Sequence, residues 1–285
     1  MVANIKTERP TRPVLRYHGG KFLLGKWIAS HFPPHKVYTE AYGGAASVLL
    51  FKPRSYAEVY NDADGEICNL FRVLRDPVQA REMKRVLILT PFARAEFEQS
   101  YLTAGDPIEQ ARRTVARSFM GFGSAAASGQ DTGFRNDSNR SGSTPAQDWK
   151  NYPNALDFFV ERLRGVVIEN RDALKVLKKF DTPDALHYVD PPYVRSMRSQ
   201  KRRTSDCYRF EMSDEQHAEM VRVLHELKGM IVLSGYSSEM YEAEFSGWHR
   251  YERPSLADGA RPRVEVLWLN EAAHSGVKVA QQGLF

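Results

Sequence analysis

Apolar and polar positions alternate along this chain with two periods. Short runs rich in β-branched and aromatic residues recur at "KVYTEAY" (36–42), "AEVYN" (57–61), "GVVIEN" (165–170), "LHYVD" (186–190), "MIVLSGY" (230–236), "WHRYE" (248–252) and "RVEVLWLN" (263–270), and read as strands. Most are separated by stretches of helical period. The clearest of these, "SDEQHAEMVRVLHELKG", opens on Ser213 as N-cap, carries Gln216 at the capping-box position and stops at Gly229. Strands alternating with helices predict an α/β fold built on a mostly parallel, doubly wound sheet. The last two strands stand too close for a full helix between them, which predicts an antiparallel hairpin at the sheet edge.

The alternation breaks between 81 and 164. That region reads as helix at "PFARAEFEQSYL" and "DPIEQARRTVARSFM", then as the Gly/Ser/Asn-rich "GFGSAAASGQDTGFRNDSNRSGSTPAQDW". The polar stretch is either a disordered loop or part of an insertion that carries substrate specificity. The chain therefore divides into a sheet domain formed by 1–80 and 165–285 and an insertion at 81–164.

Composition narrows the class. With 285 residues, 42% hydrophobic and 26% charged, the chain has the profile of a globular protein with ample core. It has no apolar run long enough for a membrane span and no signal-peptide core at the start, so a cytoplasmic protein is expected. Cys68 and Cys207 lack CxxC spacing and read as free thiols, with no zinc site. The net charge of +5 is modest, but "RSMRSQKRR" (195–203) concentrates five positive charges and "ARRTVARS" (111–118) three more. Such blocks are either solvated surface or phosphate contacts.

Chemistry collects at the strand ends. The first strand runs into "TEAYGGAASVLL", an acid followed by a small-residue turn and a helix, which allows close backbone approach to a ligand. It lacks the GxGxxG fingerprint of dinucleotide sites. The second strand ends in "YNDAD", placing Asp62 about twenty residues beyond the turn, where an acid takes ribose hydroxyls. The third leads into "ENRDAL" with Asp172. Ahead of the first strand, "RYHGGKFLLGKW" sets Lys21 after a Gly-Gly turn, a position from which an ammonium meets a ligand carboxylate. Together these favour a nucleoside ligand without a diphosphate. The fourth strand stops at "VDPPY" (189–193), where two prolines end regular structure and hold an acid and an aromatic ring on a rigid bend.

"RYHGGK", "TEAYGGAAS", "YNDAD" and "VDPPY", in this order, resemble the Dam-type (D12, alpha-class) DNA adenine N6-methyltransferases over most of the chain. The family's first motif is close to EPFxGxGS, from which this chain departs at Ala41, Tyr42 and Ala46. The resemblance implies a Rossmann-like, seven-stranded fold, S-adenosylmethionine as cofactor and double-stranded DNA as partner. It implies that Tyr17, Gly19, Gly20 and Lys21 meet the methionine end, and that Glu40, Tyr42 and Gly44 form the cofactor turn. It further implies that Asp62 holds the ribose, that Asp172 sits near the cofactor adenine, and that 81–164 is a target-recognition region. Asp190, Pro191, Pro192 and Tyr193 would be the catalytic motif: Asp190 and the Pro191 carbonyl accept the N6–H bonds of a flipped-out adenine, and Tyr193 stacks on it. Asp190 also borders the cofactor. No metal is needed.

Beside such a site, the basic residues Arg195, Arg198, Lys201, Arg202 and Arg203 are candidates for phosphate contacts, Arg112, Arg113 and Arg117, which recur at helical spacing, are candidates for DNA contacts or an exposed helix face, and Tyr208 or Phe210 is a second face for the flipped base or a core anchor. The terminal "QQGLF" resembles peptides that dock on the bacterial sliding clamp, through Gln281, Leu284 and Phe285, or else packs on the domain. The compact chain with this tail leans towards phage or other mobile-element origin, with or without a restriction partner. N4-cytosine transfer is the nearest alternative. A non-catalytic DNA-binding relative and a protein-amide methyltransferase, for which Asn would replace Asp190, stand further off.

Overall fold

The computed structural model of the chain describes residues 10–137, 142–194, 208–257 and 261–282. Seven strands appear where the apolar runs predict them: β1 (Val37–Glu40), β2 (Ala57–Asn61), β3 (Val166–Glu169), β4 (Ala185–Val189), β5 (Met230–Gly235), β6 (His249–Ala257) and β7 (Arg261–Leu269). They form one sheet in the order β3-β2-β1-β4-β5-β7-β6. The first five positions are parallel, whereas β7 inserts antiparallel between β5 and β6. Strands β4 and β5 are buried along their whole length, which explains their mostly apolar sequences. The edge strand β6 tolerates Pro254, since it lacks a neighbour on one side.

The register sets up the site. Glu40 pairs with Tyr60 on one side and Tyr188 on the other, so β1, β2 and β4 finish level at their carboxyl ends. The chain grows outward from β1 through β2 to β3 and then returns to place β4 on the other flank of β1. This reversal opens a crevice at the carboxyl edge, where α/β sheets bind ligands.

The insertion is built into the same core. Helices Pro77–Leu89, Arg94–Gln99, Pro107–Met120, Pro145–Asn151 and Leu156–Leu163 form it, with Asp76 and Asp106 capping two that begin on proline. Helix Pro77–Leu89 runs through the expected boundary at 81. One apolar cluster joins Tyr38, Tyr60 and Tyr188 of the sheet to Phe71, Met83, Phe119, Tyr152 and Phe159, so the hydrophobic core crosses that boundary. The Gly/Ser/Asn-rich stretch is also folded where described. Gly121 bridges Phe134, Ala125–Ser128 form a 3-10 turn, and buried Trp149 donates its indole N–H to the Thr90 carbonyl (2.8 Å). A few small and aromatic anchors organise its polar residues.

The pattern did not anticipate helix Glu271–Gln282. Asn270 starts it, accepting from Ala273 N (3.0 Å) while also bonding Ile231 N (3.0 Å) and the Gly229 carbonyl (2.9 Å). Gln281 falls in its last turn; Leu284 and Phe285 lie outside the described residues. Among the described residues no helix is long and apolar enough to cross a membrane.

Candidate active site at the carboxyl edge of the sheet

The first wall of the crevice grows from β1, β2 and β3. Glu40 is buried, and its Oε2 accepts from Tyr38 OH (2.7 Å) and Leu49 N (2.9 Å), tying the strand end to the helix Ser47–Phe51. Burial pushes this carboxyl up to about 8. The turn that follows holds Gly44 at φ 47° and Ala46 at φ 52°. A Cβ on Gly44 would come within 3.0 Å of the Tyr17 ring, which packs directly on this turn. Ala46 occupies the left-handed region that non-glycine residues avoid, and it stands where the methyltransferase motif has its second glycine.

Asp62 follows β2 and braces that turn, accepting Gly44 N on Oδ2 (2.8 Å) and Asp64 N on Oδ1 (2.8 Å). Burial raises it to about 6 despite those bonds, and each oxygen retains acceptor capacity. Asn61 holds three strand ends together: it donates to the carbonyls of Ala41 (2.8 Å) and Arg171 (3.1 Å) and accepts from Arg171 N (2.9 Å). Asp172 caps the helix Ala173–Lys179 through Lys175 N (2.9 Å).

The opposite wall is the bend after β4. Asp190 Oδ1 accepts from Lys21 Nζ (2.7 Å) and Ser234 Oγ (2.8 Å). Lys21, only 4% exposed, also donates to Tyr193 OH (2.8 Å) and the Gly19 carbonyl (3.1 Å). A buried ammonium needs a carboxylate. Lys21 therefore turns to the Asp190–Tyr193 bend, where the sequence had suggested a ligand carboxylate. Tyr193 stacks on Tyr236 with ring centroids 4.4 Å apart and planes 18° apart. Gly19, at φ 71°, faces both Tyr193 and Tyr208; a Cβ there would lie 2.6 Å from Tyr208 OH.

Behind this motif stands Glu265 of β7, with Oε1 3.4 Å from Lys21 Nζ. Burial raises the Asp190 carboxyl, opposed by Lys21 and Ser234, and it raises Glu265 to about 7. Burial alone would lower Lys21; the carboxylates of Asp190 and Glu265 outweigh it and hold the ammonium well above its ordinary value. The segment after residue 207 returns over the cleft. Arg209 reaches Asp64 (3.1 Å) and Glu66 (2.8 Å), Tyr208 is buried, and Phe210 is 49% exposed.

The two walls enclose about 730 Å³, within the ~300–1,000 Å³ typical of small-molecule sites. Tyr17, Gly19, Gly20, Lys21, Glu40, Tyr42, Gly44, Asp62, Asp172, Asp190, Pro191 and Pro192 all line this one cleft, although they come from five separate segments. Tyr193 lies just behind it against Tyr236. Acids at the ends of β1, β2 and β3 and a glycine turn braced by Asp62 suit an adenosine-bearing ligand.

The insertion arginines behave otherwise. Arg117 is buried and bonded to Glu66 (2.5 Å) and to the carbonyls of Ser100 (3.0 Å) and Ala126 (2.9 Å). Arg112 is buried and pairs with Glu96 and Glu109, both at 2.6 Å. Arg113 pairs with Glu109 (2.7 Å) and the Leu102 carbonyl (3.1 Å). Arg112 and Arg117 are thus buried against acids of this chain, while Arg113 is half-buried beside Glu109 on the same helix. Arg195, Arg198, Lys201, Arg202, Arg203 and Cys207 lie outside the described residues, while Cys68 is buried and free. Among the described residues no group of three or more metal-ligating side chains converges.

Sequence reasoning missed Asn61, Arg209, Ser234, Tyr236 and Glu265. The signal for two of them was available, since Ser234 and Glu265 are polar residues inside strands that are otherwise apolar, and such residues need partners.

Comparison with curated proteins gave no match. The family model for the D12 class N6 adenine-specific DNA methyltransferases matches residues 17–253, from the Tyr17 turn into β6. With that match covering most of the chain and the whole cleft, the protein belongs to the D12 class of N6 adenine-specific DNA methyltransferases, enzymes that methylate DNA with S-adenosylmethionine as methyl donor.

Proposed function

We propose that the enzyme methylates N6 of an adenine turned out of duplex DNA at specific sites, with Asp190 and the Pro191 carbonyl accepting its two N6–H bonds. The observation that carries this reading is the fixed orientation of Asp190. Among the described residues, Lys21 and Ser234 both donate to Oδ1, which keeps Oδ2 for a substrate proton. The N6 lone pair is delocalised into the base, and two acceptors held by rigid prolines favour the pyramidal nitrogen that can attack. Once the nitrogen has gained a methyl it must lose a proton, and a carboxylate whose proton affinity is raised by burial is suited to take it.

S-adenosylmethionine, when bound, supplies an electrophilic methyl group on its sulfonium. Tyr17, the Gly19–Gly20 turn, Glu40, Tyr42, Gly44, Asp62 and Asp172 would hold it. Asp62 already accepts two backbone N–H bonds and keeps lone pairs for ribose hydroxyls. Tyr193, backed by Tyr236, offers a stiff aromatic platform to a base that has left the duplex, offsetting the few kcal/mol that flipping costs. In this reading the insertion at 81–164 selects the target, the basic residues of 195–203 contact phosphates, and Gln281, Leu284 and Phe285 dock on a sliding clamp.

The test incubates the protein with methyl-labelled cofactor and mixed-sequence duplex DNA, then digests to nucleosides. Label in N6-methyladenine, absent with Asp190→Ala, is expected; label on cytosine, or none, overturns the reading. For the tail, a clamp pull-down that is unchanged on deleting the last five residues would remove that part alone.

A further inference from the structure

Lys21 faces two carboxylates, and only one of them belongs to the expected motif. Glu265 is 1% exposed, its Oε1 lies 3.4 Å from Lys21 Nζ, and among the described residues no hydrogen bond reaches that oxygen. The Lys21 ammonium directs its protons to Asp190, Tyr193 and the Gly19 carbonyl, so Glu265 interacts with it through charge rather than through a formed bond. A buried acid with an unsatisfied oxygen costs folding energy, and such groups cluster where function needs them. Among the described residues, the groups that face Glu265 are Lys21 from the segment before the first helix, Asp190 and Tyr193 after β4, Tyr188 within β4, and Tyr236 after β5.

We propose that Glu265 is a positioning residue that shares the Lys21 ammonium with Asp190 and so keeps Asp190 a strong hydrogen-bond acceptor. The physical reason is charge sharing. A carboxylate locked in an exclusive buried ion pair has much of its electron density committed to the cation and accepts a substrate N–H weakly. A second anion near the same ammonium loosens that pair and raises the proton affinity of Asp190. It also steadies Lys21 against Tyr193, whose ring the ammonium approaches to 4.9 Å. No covalent step is assigned to Glu265, which holds charge and moves no atom.

The inference rests on the proposed role of Asp190, and its test separates the two. Wild type, Glu265→Gln and Glu265→Asp are compared by the pH dependence of single-turnover methyl transfer and, independently, by carbon-13 NMR titration of the Asp190 carboxyl. Glu265→Gln is expected to lower the Asp190 pKa by about one unit, to shift the acid limb of the rate profile to lower pH by the same amount, and to slow the plateau rate about tenfold. Glu265→Asp, which keeps the charge, is expected to restore most of the rate. An Asp190 titration that does not move in Glu265→Gln overturns the inference, whatever the turnover. Wild type that methylates no adenine instead strikes at the role of Asp190. Should Glu265→Gln fail to fold, Glu265→Met, which also removes the charge, is read by the same titration: a fall of the Asp190 pKa supports charge sharing, and an unmoved one refutes it.

Discussion

Two buried ionic clusters sit at opposite ends of the sheet, and they differ in the ratio of cations to acids. At the amino end of β2, Glu58 receives Arg162 through two bonds (2.6 and 2.9 Å) and Lys52 through one (2.6 Å): two cations on one carboxylate. Burial would raise the Glu58 carboxyl, but Arg162 and Lys52 outweigh it and hold it below its ordinary value. At the carboxyl end, Lys21 stands between Asp190 and Glu265, and both acids are raised. An acid saturated with cations is a staple, whereas an acid that must share one keeps its appetite for protons. The same residue types thus serve structure at one edge and chemistry at the other.

Removing each acid should show this. Asp190→Ala is expected to slow methyl transfer by about a thousandfold with little loss of stability, because Glu265 still compensates Lys21. Glu58→Gln is expected to do the reverse, destabilising by about 3–5 kcal/mol, since it leaves Lys52 and Arg162 buried without a carboxylate. Its rate per folded molecule should be unchanged. Urea unfolding with the labelled-methyl assay reads both, and a Glu58 variant that loses rate but not stability would contradict the contrast.

The pH dependence of stability sharpens it. Glu265 titrates at about 7 folded against 4.5 unfolded, so the folded state holds the extra proton between those values. Its contribution is present below pH 4.5 and is lost as pH rises through 7. Wild type should therefore lose ground against Glu265→Gln over that window. Glu58, lowered on folding, contributes above pH 4.5 and loses its contribution as pH falls through its depressed value. Wild type should gain on Glu58→Gln as acid is removed and level off near pH 5. Urea midpoints of the three proteins from pH 3 to 8 check both signs.

Smaller effects test the cleft itself. Arg209→Ala unties the covering segment from Asp64 and Glu66, and the cofactor KM should rise about three- to tenfold, as expected of half-exposed ion pairs, with kcat nearly unchanged. Ala46→Gly removes a left-handed alanine and should stabilise by about 1 kcal/mol in thermal melts.

Much of this was legible along the chain. Period and punctuation located all seven strands and the Ser213 capping box, since these depend on neighbours within one turn or one strand. Motif spacing gathered Tyr17, Lys21, Glu40, Asp62, Asp172 and Asp190 to one edge, because in a parallel sheet every strand delivers its carboxyl end to the same side. Helical spacing also marked Arg112, Arg113 and Arg117 as one face, yet it cannot tell a face that meets solvent from one that meets Glu66 and Glu96, which lie in other helices. By itself, then, the sequence determined the strands, their order along the chain and the acids that end them. The tertiary structure alone decided which charges meet. The pairing of Lys21 with Glu265 spans most of the chain, and its strength depends on burial, which arises only when β7 slides between β5 and β6 and excludes water from both.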